Sequence, residues 1–448
     1  MSVPLQILLM AFLNLPFDLM RTWDGAATAR LAEVLKGIRE AGDPVTLAEL
    51  ARLHPDPPPG RNAATFYKAA FEKMEARGEP PENVQRLLPL VGTATLPEPD
   101  QDLPPAMLRA IRSYLADNAE AIELLRKAAA LDDCKFDLDF TKGIAMELPH
   151  LAKGRQAARL LALEVVERTE SGKADGAAES LATCLRGGLA LRREPILISA
   201  LVRIAWDAMA VGQVERWASR CRPSTAALER VEAALAAAAD PRLVERAMVG
   251  ERCFGIHAYE TFVLKPGQPG LGDLGVAAPP VVGLMPQAYF KTDMLYYLGI
   301  MNEHVAAARK PGPKGFEAGE RVGAKLDKNI PACFFVSRMI LPAIGRVSAE
   351  GRKHEARLTT ARVALAALRY KNKHGRLPEN LQALAPDFLT ALPPDPFDGK
   401  PLRYRKDGAG FIVYSVGDNR QDDGGLTVKP NAQPPDIGLR VRWPRTQF

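Results

Sequence analysis

Aromatic residues make up only 6% of this 448-residue chain, and histidine occupies only six positions. With few rings, alanine and leucine must fill the interior, which favours helix-on-helix packing over sheets. Six scattered histidines form no readable Ser-His-Asp or Cys-His arrangement, so no catalytic residue is assigned. Cysteine is sparse as well. Cys134, Cys184, Cys221, Cys253 and Cys333 stand singly, with no C-x-x-C pair. That argues against a zinc ribbon and a thioredoxin-like site, and the odd number leaves no complete disulfide framework. The thiols read as small core residues. Neither charge dominates: 59 Lys and Arg stand against 53 Asp and Glu, for a net charge of +6, and the two signs alternate. Nucleic-acid binding calls for a concentrated basic face. The balance here reads as a solvated surface, and a nucleic-acid-binding regulator is kept only as an alternative.

Long apolar runs are also missing. The first, residues 3–17, falls short of the roughly 20 residues that span a bilayer. Pro4 and Pro16 interrupt it, Asp18 ends it, and no basic residue precedes it. A first helix that docks on the protein or on a membrane surface is the expectation. A signal or anchor remnant is the alternative, with Ala27-Thr28-Ala29 as its small-residue site. No later stretch reads as long and charge-free enough to cross a membrane.

What is present is mostly amphipathic helix. Residues 27–40 carry Leu31, Val34, Leu35 and Ile38 on one face. Thr46-Leu47-Ala48-Glu49 is a capping box that opens a short helix, and 54–60 is a stiff proline linker. Residues 62–75 form a third helix, 79–105 are proline-rich and acidic, and 106–131 read as one long helix. In 132–154, Phe136, Leu138 and Phe140 alternate with Asp137 and Asp139, as in an extended segment with one buried face. From 153 to 249 helices begin near Arg155, Asp175, Pro195, Ser224 and Pro241, separated by short turns. This spacing suggests stacked antiparallel helix pairs, and Ala158, Ala162 and Ala177 allow close approach. Such arrays bind proteins on a concave face, so a protein partner is expected.

One stretch offers metal chemistry by composition. His257 and Glu260 are three apart on a helix, as in di-metal carboxylate proteins. Cys253 is near them, and Glu303-His304 lies in the helix read at 285–308. A metal-dependent enzyme using these five residues is the alternative function. Residues 267–275 are glycine-rich but lack the strand and the Lys-Ser or Lys-Thr of a phosphate loop. A linker is expected at 310–319, and Pro342 should kink or break the apolar segment that follows.

The most specific stretch is 358–425. An amphipathic helix carries Val363, Leu365, Ala366, Leu368 and Tyr370, with Lys371 and Lys373 in its last turn. Gly375 is placed as a left-handed cap and Pro378 prevents resumption. A short helix at 379–384 and the rigid turn Asp395-Pro396-Phe397-Asp398-Gly399 follow. Residues 402–405 and 411–415 read as strands, and Leu439-Arg440-Val441-Arg442-Trp443 as a third. Between them lies Gly417-Asp418-Asn419-Arg420-Gln421-Asp422-Asp423-Gly424-Gly425. Its carboxylates and glycines suit a hard cation that takes six to eight oxygens, although the spacing is not that of an EF-hand.

The order of these pieces, over about 352–425, resembles the C-terminal domain of the major pseudopilin of type II secretion. The matching pieces are Tyr370 with Gly375 and Pro378, the Asp395–Gly399 turn, and Ser415-Val416-Gly417 through Gly424-Gly425. The resemblance implies a bacterial protein with a calcium-binding last loop, for which Asp418, Asp422 and Asp423 are the candidate ligands. Two features depart from the family: the loop's Asp-Asn-Arg-Gln-Asp-Asp run, and the lack of a pilin's processed N-terminal segment. Polymerisation as a pilin is therefore not expected.

The expected fold is mainly α. A helical array of antiparallel helix pairs precedes a small α+β pseudopilin-like domain, with regions 1–150, 151–330 and 331–448. The expected function is that of a non-enzymatic scaffold or interaction protein, placed in the cell envelope or periplasm by the resemblance and the apolar N-terminus.

Overall fold

The computed structural model describes residues 16–264, 285–331, 334–345, 347–425 and 436–443. Among these the chain is mainly helical, with one small three-stranded antiparallel sheet near the C-terminus. Most of the apolar N-terminal run, the glycine-rich stretch at 267–275 and Cys333 lie outside the described residues.

Among the described residues, six helices precede the array: α1 (Phe17–Glu40), α2 (Leu47–Arg52), α3 (Ala64–Arg77), α4 (Glu82–Gln85), α5 (Pro105–Asp117) and α6 (Ala119–Ala129). The capping box of α2 is present: Glu49 N donates to Thr46 Oγ1 at 3.1 Å and Thr46 N donates to Glu49 Oε2 at 3.2 Å. Residues 106–131, expected as one helix, are two. They meet at Asn118, which leaves helical geometry (φ −105°, ψ 14°) and turns its buried amide onto Tyr114 O at 2.9 Å. Asparagine competes with the helix for backbone partners in this way. In the extended stretch that follows, Phe136 and Phe140 are buried while Asp137 and Asp139 are exposed, the alternation read from the sequence.

The array consists of α7 (Pro149–Glu170), α8 (Ala174–Gly188), α9 (Leu197–Arg220), α10 (Thr225–Ala238) and α11 (Leu243–Ala258). The first pairs are antiparallel. Ser180 donates to Glu164 and Cys184 to Ala158 O, so partners on α7 and α8 run in opposite order. Trp206 Nε1 donates to Cys184 O, and Trp217 Nε1 to Ala174 O, which gives the same relation between α8 and α9. Small residues set the spacing. A Cβ on Gly187 would lie 2.5 Å from Trp206 Cζ2, and one on Gly154 would lie 3.1 Å from Cζ3 of the same ring. By length and composition α9 is apolar enough to cross a membrane, a candidate that the sequence reading passed over, yet 61% of its apolar window is buried within the protein.

Beyond the array come α12 (Gln287–Ala308), α13 (Gly312–Asn329), α14 (Phe335–Ile344) and α15 (Val347–His374). Helix α13 replaces the linker expected at 310–319. Its proline falls in the first turn, where the missing N–H would have no intrahelical partner and costs nothing. Helix α14 runs on past Pro342 to Ile344.

Helix α15 also departs from its sequence reading. An amphipathic helix was expected, but Val363 through Leu368 are all buried. The array helices α9 and α10 pack on it, and so do α13, β2 and β3. Two strands cover the surface that would otherwise face water. The helix ends as expected, with Gly375 at φ 72° and its N–H on Lys371 O at 2.8 Å.

Strands β1 (Arg403–Asp407), β2 (Gly410–Ser415) and β3 (Ile437–Val441) lie in the order β1-β2-β3. Every residue of β2 is buried, whereas the outer strand β1 carries Arg403, Arg405 and Lys406. The other edge rests on α9. Arg440 N donates to Glu215 Oε2 at 3.4 Å and Arg442 N to Ser219 Oγ at 3.0 Å. Four residues of helix rise about 6 Å and two of strand about 6.8 Å, so side chains one turn apart meet alternate strand amides.

Among the described residues, two large apolar cores stand out beside two small clusters. One joins α3, α5–α10, α15 and the sheet. The other joins α1, α2, α11, α12 and α14 with the start of α15.

Overpacking should be felt at the small-residue contacts. Gly187→Ala is expected to destabilise the chain by about 1–3 kcal/mol in chemical denaturation. In a Trp206→Phe background the penalty of the same change should shrink, because the ring that meets the new methyl is smaller.

Candidate functional site

The C-terminal head is built around one carboxylate. Asp395 is fully buried at the start of the Asp-Pro-Phe-Asp-Gly turn. Its Oδ1 accepts from Phe397 N at 2.9 Å and Ser415 Oγ at 2.8 Å. Its Oδ2 accepts from Val416 N at 3.0 Å and Arg403 Nη1 at 3.1 Å. A buried charge is tolerated when its lone pairs are filled in this manner. Arg403 also grips Asp398. Burial opposes ionisation of Asp398, but the guanidinium and Lys400 N outweigh it and hold the carboxyl below its ordinary range. Phe397 anchors the turn edge-on against Phe316 of α13, with ring centroids 4.9 Å apart. The turn thereby fixes the end of β2, from which the acidic loop departs.

The three carboxylates expected as ligands have separate partners. Asp418 forms an ion pair with Lys353 of α15 at 3.1 Å. Asp422 Oδ1 accepts from Tyr414 Oη at 2.9 Å and from Gly424 N at 3.0 Å. Asp423 accepts from Asn419 Nδ2 at 2.8 Å. Arg420, in the left-handed region at φ 56°, reaches Glu320 and lies 5.0 Å over the Phe316 ring. The glycine flank is needed for close approach. Gly425 has φ 72°, and a Cβ there would lie 2.6 Å from Ile412 Cδ1.

A fourth carboxylate was missed. Asp436 is only 5% exposed. Its Oδ2 accepts from Gly425 N at 2.7 Å, while its Oδ1 is buried with no hydrogen-bond partner among the described residues. Burial raises its carboxyl above the ordinary 3.8; hydrogen bonds from Gly425 and Asp423 N–H groups counter this, and the charges of Asp423 and Asp422 add to the rise. No local signal marks it: Asp436 is eleven residues beyond the loop glycine that it meets. Among the described residues, no group of three His, Cys, Asp or Glu side chains is arranged to hold a metal ion.

The residues of the alternative site have other surroundings. Cys253 Sγ donates to Pro44 O at 3.2 Å, and burial pushes its thiol up to about 12. Glu303 is paired with Lys325 at 2.6 Å on the surface. His304 is fully buried and burial lowers its imidazole to about 4, so it is neutral at physiological pH. His257 sits against Gly143, 3.5 Å from Thr261 Oγ1, and Glu260 is exposed. Cys134, Cys184, Cys221 and Cys253 are all free and buried.

The turn and the loop should respond differently to truncation. Asp395→Ala leaves three buried donors, Phe397 N, Ser415 Oγ and Val416 N, without their acceptor and takes one of two carboxylates from the half-buried Arg403, and is expected to cost about 3 kcal/mol or more in denaturant unfolding. Asp418→Ala, measured in chelator, should cost about 1 kcal/mol or less, because a partly exposed pair with Lys353 contributes little.

Comparison of the chain with protein-family models, with curated proteins and with solved structures finds no match.

Proposed function

We propose that this chain is a non-enzymatic bacterial scaffold of the cell envelope, with a pseudopilin-like head whose last loop binds calcium. The head reading is supported by the order of its parts: a long helix, the Asp395–Gly399 turn, a small antiparallel sheet and the acidic loop. The envelope placement rests on the resemblance and on the apolar residues 3–17. The helical array is the surface on which a protein partner would dock.

The observation that carries the calcium reading is Asp436 Oδ1, buried and without a hydrogen-bond partner among the described residues. A buried carboxylate oxygen without a donor is costly, and here Asp422 and Asp423 add negative charge beside it. A hard cation removes both penalties at once. Asp422, Asp423 and Asp436 would contribute carboxylates, Asp418 on release from Lys353 would add another, and backbone carbonyls of the glycine flanks would complete the oxygen set.

The test uses the full-length chain, because α15 is buried between the array and the sheet. Calcium at a hundred times its dissociation constant should stabilise the protein by about 2.7 kcal/mol, seen as a raised melting temperature that EDTA reverses. Asp436→Asn should cross over: more stable than wild type in EDTA at neutral pH, and less responsive to calcium. The pH dependence has a defined sign. A carboxyl raised in the folded state contributes stability below its ordinary value of 3.8, and that contribution is lost as pH rises through the raised value. In EDTA, Asp436→Asn should abolish that loss. Identical melting of wild type in calcium and in EDTA would reduce the loop to a solvated acidic turn.

A further inference from the structure

A cavity of about 240 Å³ lies where the α10–α11 turn, α11 and the ends of α12 and α13 meet α15. It is separate from the head loop. One stripe of α15 lines it: Ser348, Arg352, Glu355, Leu358, Thr359 and Arg362 recur at the three- and four-residue spacing of a single helical face. Leu243 and Val244 of α11, with Ala307 and Ala308 of α12, make the opposite wall apolar.

The charges around this space do not cancel. Asp240 is matched by Arg203 at 2.8 Å and by Arg246, which hold its carboxyl down to about 2 against the opposing effect of burial. Glu355 is matched by Arg352 at 2.6 Å. His354 donates or accepts through Nε2 at 2.8 Å from Asp207 Oδ2, which is buried beneath it. Arg362 is left over. It has no ion-pair or hydrogen-bond partner among the described residues, and its Nε is buried. Arg362 therefore lines the cavity without a carboxylate of its own, and its planar fork matches a carboxylate or phosphate.

We propose that this cavity binds a small organic anion, with Arg362 gripping its carboxylate or phosphate and the Leu243–Val244 and Ala307–Ala308 wall covering an apolar body. A water molecule takes about 30 Å³, so the cavity admits a ligand of several heavy atoms. Because the lining comes from the array side and from α15, the ligand bridges the two apolar cores.

The experiment is calorimetric titration of the full-length protein with benzoate, phenyl phosphate and benzamide, in EDTA and at constant chloride, so that a loop cation plays no part. Saturable one-to-one binding of benzoate or phenyl phosphate is expected, the tighter of the two identifying the head group, with benzamide at least about tenfold weaker. Arg362→Gln should weaken the anion by about tenfold or more. Ala308→Phe, which fills the cavity without touching a charge, should abolish binding. Absence of binding by both anions, equal binding of benzamide, or binding that survives Ala308→Phe would overturn the proposal.

Discussion

A helix buried on every side must be given a neighbour on every side, and α15 imposes that demand on the whole chain. Six consecutive residues, Val363 to Leu368, are out of water. An ordinary surface helix hides only a stripe. The array supplies one wall, through α9 and α10, and the sheet supplies another. Neither wall is optional, since removing either would return a row of leucines, valines and alanines to solvent at about 25 cal/mol per Å². The acidic loop and the anion cavity depend on the same helix: Lys353 reaches the loop, and Arg362 lines the cavity two to three turns further on.

Local features of the fold were legible because their causes are local. A capping box, a glycine cap, a proline turn and period-two strands are each determined by residues that touch along the chain; 46–49, Gly375 and the Asp395–Gly399 turn are found as read, and the strand read at 439–443 is found at Ile437–Val441. The failures have two origins. Asn118 breaks a helix by folding its side chain back on Tyr114, a choice among conformations that composition does not decide. The polar-looking side of α15 is covered by strands that begin only at Gly410 and Ile437, and Asp436 meets the loop from the start of β3. Both are long-range events without a periodic signature.

Charge was legible only in bulk. The 59 bases and 53 acids read as a solvated surface, and that balance gives no sign that Arg203, Arg216 and Arg252 are buried. Arg216 reaches Glu170 at 2.7 Å, and Arg252 reaches Asp43 and Asn302 at 2.9 Å. Such pairs add little net stability over an apolar core, because desolvation offsets the attraction. Their effect is to fix the register of long alanine-rich helices, whose small side chains would otherwise slide past one another at little cost. Arg362 differs from them in lacking a carboxylate.

The sheet's two edges are closed by different means. Along β3 the outward amides of Arg440 and Arg442 are already taken by Glu215 and Ser219, one helical turn apart on α9. Along β1 a row of arginine and lysine faces outward, and a second copy aligned there would bring like charges into register. A three-stranded ribbon with both margins blocked cannot serve as a template for its own extension. Among the described residues, both margins of the sheet are thus guarded against edge-to-edge pairing.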